Sequence, residues 1–148
     1  MSTSKDGKDP KGKSVGTVIA VTPPRVLLVE DSLSDVLTTS INLKLHNVLV
    51  SAVPVPRIAL EALNALLAQD LVVNLVLTVD RVPDGGMSGY DLLMEIKKSP
   101  KFNHLPVVIM SDLLIPERVQ KCLDGGAKNY IQKPINFAGV RHGILSYI

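Results

Sequence analysis

Only one cysteine, Cys122, occurs in 148 residues, so an internal disulfide is excluded and the chain suits a reducing compartment, cytoplasmic or nuclear. Cys122 sits in a helical stretch just before Gly125-Gly126, which reads as a packed thiol rather than a reactive one. Tryptophan is absent, and three Tyr and two Phe are the only aromatics. That argues against a base-stacking nucleic-acid surface. The core must then be aliphatic, and an apolar fraction of 46% is ample for one. No apolar run approaches the ~20 residues that cross a membrane. Val15 to Val21 follows a Lys-rich start, but Gly16 and Thr17 interrupt it and acids accompany the lysines, so it is not read as a secretion signal. A strong charge of one sign is missing too. The net +2 lies entirely in residues 1–24, where Lys5, Lys8, Lys11 and Lys13 face Asp6 and Asp9; the rest balances twelve acids with twelve bases. The body of the chain is therefore neutral and no basic nucleic-acid binder. His46, His104 and His142 are isolated and lack metal-ligand spacing.

What is present is a series of apolar runs, each ending in a polar group. Val26 to Val29 leads into the paired carboxylates Glu30 and Asp31, then Ser32. Leu71 to Val79 ends in Asp80, Leu105 to Met110 ends in Ser111 and Asp112, and Asn129 to Gln132 precedes Lys133-Pro134. Continuous apolar runs are the mark of parallel strands covered on both faces. In open parallel sheets, ligands sit just outside the carboxyl ends of the strands. Strand tips lying side by side would gather acids, a hydroxyl and an ammonium at one place. Two adjacent acids there call for a cation, and Mg²⁺ favours carboxylates with phosphate oxygens and water. The set suits phosphoryl transfer to a carboxylate.

Strands and helices alternate along the chain, as in a parallel α/β sheet. The pattern predicts strands at 25–30, 48–53, 73–79, 105–110 and 129–132, and helices at 33–46, 58–69, 90–98, 115–124 and 136–147. Residues 1–24, rich in Lys, Ser, Gly and Asp, read as a disordered basic tail, with a short extended piece at Val18 to Val21. Residues 25–148 form one domain, and no output domain follows. Val53-Pro54-Val55-Pro56 places the second strand at a sheet edge, where proline is tolerated. Asp84 to Gly89 is glycine-rich but lacks the Lys-Ser/Thr ending of a P-loop, so it reads as a turn.

The segments VLLVEDS, GMSGYDLLMEIKKSPKF, LPVVIMS and CLDGGAKNYIQKPI resemble response-regulator receiver domains, and more narrowly the short type-A regulators of the plant cytokinin phosphorelay. The resemblance implies a flavodoxin-like (CheY-like), doubly wound five-stranded parallel sheet of order 2-1-3-4-5. It implies that Glu30, Asp31 and Asp80 bind Mg²⁺, and that Asp80 accepts phosphate from a histidine-containing phosphotransfer protein. Ser111 and Lys133 would contact the phosphoryl oxygens, with Lys133-Pro134 as a cis peptide. Tyr130 falls where the family keeps an aromatic residue that changes rotamer on activation. Such a protein is not an enzyme in its own right: it works by competing for phosphotransfer proteins or by binding other signalling proteins through its switch face. Phosphatases of the haloacid type would show Asp-x-Asp after the first strand, where this chain has Glu-Asp-Ser. Asp35 and Asp112 read as solvated acids, and Pro56 stands where receivers commonly have a turn glycine.

The phosphoacceptor leaves two alignments open. Typical plant receivers read Val-Asp-Leu-Ile-Ile-Thr-Asp before x-x-Met-Pro-Gly-Met, and this chain has one residue more, Val73-Asn74-Leu75-Val76-Leu77-Thr78-Val79-Asp80. Aligned from the strand start, Val79 takes the acceptor position and Pro83 the family proline. Aligned on Asp80, an extra residue must be absorbed by a bulge or a shifted strand end. A one-residue slip turns a side chain to the opposite face of the sheet. The two outcomes are a phosphorylated regulator and a pseudo-receiver that acts as an interaction module.

Overall fold

The computed structural model describes residues 22–148. Most of the basic tail, Val18 to Val21 included, lies outside them. Five parallel strands form one sheet in the order β2-β1-β3-β4-β5: β1 Arg25–Val29, β2 Leu49–Val53, β3 Leu75–Val79, β4 Val107–Ser111 and β5 Asn129–Gln132. The helices between them are α1 Leu33–Leu45, α2 Ala59–Ala68, α3 Gly89–Lys98, α4 Pro116–Asp124 and α5 Phe137–Gly143. Among the described residues, no helix is long and apolar enough to cross a membrane.

Period-two alternation sorts the strand side chains into two cores. Leu27, Val29, Val76, Val107, Ile109 and Tyr130 face α2, α3 and α4, packing against residues such as Leu63, Leu92 and Cys122. Val26, Leu28, Leu75, Leu77, Val79, Val108 and Met110 face α1 and α5, where Leu43, Val140 and Ile144 meet them. β1 and β3 are therefore covered on both sides, which is why their sequences carry no polar alternation. β2 is an edge strand and is half-exposed, in keeping with the prolines that follow it.

Local signals set the helix ends. The Ser32 hydroxyl accepts from Asp35 N to open α1, and Asn136 does the same from Gly139 N for α5. Ser88 and Asp91 form a reciprocal capping box on α3. α1 and α2 are followed by Asn47 (φ 62°) and Asp70 (φ 60°), residue types that tolerate left-handed backbone. Pro56 opens a 3-10 turn, Pro56–Ile58, ahead of α2. The last helix is shorter than the expected 136–147: α5 stops at Gly143 and a 3-10 turn, Leu145–Tyr147, replaces its end.

Candidate functional site

The strand tips do converge, but in two groups on opposite faces of the sheet. On the α1 side, Lys133 Nζ donates to Glu30 Oε1 at 2.8 Å and to Asp35 Oδ2 at 3.0 Å. Glu30 follows β1, is only 3% exposed, and its other oxygen accepts from Ser32 N at 3.1 Å. Lys133 follows β5, and its peptide bond to Pro134 is cis. Burial works against the Lys133 ammonium, yet its hydrogen bonds to Glu30 and Asp35 outweigh it and raise the pKa above the usual lysine value. Asp35, expected as a solvated acid, is thus half-buried and part of this group. Asp31 is exposed.

The second group lies on the α4 side. Asp80 has no exposed surface, and its carboxylate is gripped by Arg118 from α4: Nε on Oδ2 at 3.0 Å and Nη2 on Oδ1 at 2.5 Å. Tyr130 Oη donates to Oδ2 at 2.8 Å. The bond to Asp80 raises the Arg118 pKa further, against the opposing effect of burial. Burial first, and the same carboxylate second, push the Tyr130 phenol up to about 12. Desolvation holds Cys122, one helical turn beyond Arg118, at about 11, which keeps it a thiol at neutral pH.

Register explains the split. Val29 lies opposite Thr78, so continuing the ladder by one residue sets Val79 beside Glu30. Val79 packs among the α1- and α5-facing residues at 4% exposure. Asp80 is one residue later and points the other way. β3 has no bulge to absorb the extra residue, since Val76 to Val79 pair one-to-one with Val107 to Met110. The chain then turns back at once: Gly89 N donates to Asp80 O at 2.7 Å, and a Cβ on Gly89 would come within 2.3 Å of Val79 O. Inside the loop, Asp84 Oδ1 accepts from Gly86 N at 2.9 Å and Gly85 takes φ 70°, so the Gly-rich stretch is a turn.

A receiver domain model matches residues 26–144. The chain belongs to the response regulator receiver family. The rice (Oryza sativa subsp. japonica) two-component response regulator ORR12 is 50% identical over 125 residues, which cover 84% of this chain and 98% of that protein. The chemotaxis protein CheY4 of Vibrio cholerae shares the fold at TM-score 0.72 and 21% identity, covering 85% of this chain and 99% of that one. The receiver domain of the sensor kinase PA1611 of Pseudomonas aeruginosa, TM-score 0.68 and 20% identity over 84% and 97% of the two chains, was crystallised with magnesium in its active-site cleft.

This receiver does not gather at one site the three acids that the resemblance leads us to expect there. Both Asp80 oxygens are taken by Arg118 and Tyr130, and Glu30 is neutralised by Lys133. Among the described residues, no group of three His, Cys, Asp or Glu side chains is placed to hold a metal. Glu30, Asp31 and Asp80 therefore do not fit one Mg²⁺ here. Ser111 ends β4 as expected; its Oγ accepts from Leu113 N at 3.4 Å, and its carbonyl receives Lys133 N. Asp112 offers its backbone carbonyl to Gln132.

Sequence reasoning missed Arg118. It is 38 residues from Asp80, and nothing local ties the two. One signal was available: Arg118 stands four residues before Cys122, and that spacing sets it on the inward stripe of the helix.

Proposed function

We propose that this receiver is a plant response regulator of the His-to-Asp phosphorelay that acts as an interaction module, without taking a phosphoryl group on Asp80. The observation that carries the reading is the face of Asp80. A carboxylate becomes a useful nucleophile only when cations beside it neutralise the incoming phosphoryl charge, and that demands close placement. Asp80 lies across the sheet from Lys133 and Glu30, with both oxygens engaged. Val79 fills the position beside Glu30. The opposing reading, acceptance on Asp80 with Mg²⁺, draws support from Glu30, Asp31, Ser111 and the cis Lys133-Pro134 bond; it requires Asp80 to leave Arg118 and change faces.

The partner is a histidine-containing phosphotransfer protein of the cytokinin type, met in the cytoplasm or nucleus. α1 supports this: Leu33 (72% exposed), Leu37 (54%), Ile41 (56%) and Leu45 (65%) recur every fourth residue and form one outward apolar stripe. A contiguous exposed stripe of this kind marks a protein-binding surface. Holding the partner without relieving it of phosphate would lower the supply to other receivers.

A small acyl-phosphate donor with Mg²⁺ tests the reading. Wild type should take up no acid-labile phosphate, while Val79→Asp should gain it, because the new carboxylate stands beside Glu30 and near Lys133. Labelling of wild type, whether lost or kept in Asp80→Asn, overturns the proposal.

A further inference from the structure

We infer that Arg118 is a built-in counter-ion that ties α4, the tip of β3 and Tyr130 into one rigid unit, so that the α4–β5 face is held in a single conformation without a phosphoryl group. The inference does not depend on whether the protein accepts phosphate by another route.

The tie joins three elements through one carboxylate. Arg118 comes from the first turn of α4, Asp80 from the end of β3 and Tyr130 from β5. α4 needs such an anchor. Its sequence, PERVQKCLD, is mostly polar, and its buried residue is Cys122. The other helices on this face hold the sheet by several apolar residues; α3 alone buries Leu92, Leu93 and Ile96. The ion pair adds a strong directional contact where apolar burial is thin, since a two-pronged guanidinium–carboxylate bond fixes orientation as well as distance. The carboxylate in turn fixes Tyr130. The ring is 8% exposed, and its hydroxyl bonds to an oxygen that Arg118 also holds. Outward rotation would leave the carboxylate short of a donor in a site without water contact. Asp80 itself has no freedom to yield, because Asp80 N donates to Met110 O and Asp80 O accepts from Gly89 N.

Amide hydrogen exchange of the full chain tests the tie. Arg118→Met and Asp80→Asn should each speed exchange across α4 by about tenfold or more, with α1 unchanged, because local opening loses a cooperative contact. The double variant should exchange no faster than either single one, as expected when both residues serve one interaction. Arg118→Lys, which keeps the charge but not the two-pronged geometry, should restore only part of the protection. Unchanged α4 exchange in the singles, or effects that multiply in the double variant, would overturn the inference. If Arg118→Met does not fold, Asp80→Asn decides through fluorotyrosine-labelled protein, with the Tyr130 signal assigned by Tyr130→Phe. A shift of that signal towards the solvent-exposed position supports the tie, and an unmoved signal refutes it.

Discussion

Glu30 with Lys133 and Asp80 with Arg118 are two carboxylate–cation pairs at neighbouring strand tips, yet they sit on opposite faces and are built differently. The first is open-ended: Asp35 shares the cation, Asp31 stands exposed beside it, and the lysine is a flexible point charge. The second is closed: the carboxylate has no exposure, the guanidinium is two-pronged, and a phenol takes the remaining place. The difference teaches that one step along a strand decides which cation an acid meets: Glu30 meets Lys133 on one face and Asp80 meets Arg118 on the other.

The largest effect should follow from breaking the closed pair. Arg118→Met leaves a buried carboxylate without its cation and should cost about 3–5 kcal/mol in urea unfolding. Replacing both partners, as Asp80→Leu with Arg118→Met, should recover most of that loss. A double variant as unstable as the single one would show that the surroundings, not the unpaired charge, set the cost. The open pair comes next: Lys133→Met leaves Glu30, only 3% exposed, without its cation and should cost about 3 kcal/mol by the same measurement, the lower end of that range, since Asp35 stays in contact with water.

Alkaline titration sharpens the contrast. A group whose pKa is raised on folding contributes stability that is complete below its unfolded value and is lost as pH climbs through the folded one. Tyr130 moves from 10.0 to about 12, so its contribution should fade across that window. Phenolate absorbance should show a late step near 12 that Tyr130→Phe removes. The smallest effect on stability should come from α1. Leu37→Ser or Ile41→Ser should change unfolding by no more than ~0.5 kcal/mol, as at other exposed sites. Each should nonetheless weaken capture of a phosphotransfer protein in a binding titration.

Much of the fold was legible because parallel strands advertise themselves as apolar runs ending in polar tips, and all five were found within two residues of their ends. The edge position of β2 was readable from its prolines. The resemblance supplied strand order, and the extra residue before Asp80 raised the choice that register then explains. What stayed hidden were long-range side-chain partners. Asp35 looked like a surface acid because nothing near it in sequence bears a charge that would bury it. Its partner, Lys133, is 98 residues away. Arg118 went unnoticed for the same reason, its partner Asp80 lying 38 residues away. The end of α5 was misjudged because apolar periodicity runs on through Ile144 while the backbone tightens.

Gly89 bears on how such a chain can change. Its amide is fastened to the carbonyl of Asp80, and its Cα lies too close to Val79 O for any larger residue. The stretch from Arg81 to Ser88 is thus a loop pinched shut at its neck, with Val82 packed on the core, Ser88 capping α3 and the tip from Pro83 to Gly86 in solvent. Residues added to or removed from that tip are taken up in solvent, and neither β3 nor α3 needs to move. The strand itself has no such slack. Length is cheap to vary on one side of Asp80 and consequential on the other, so the face chosen by this acid was decided upstream of it.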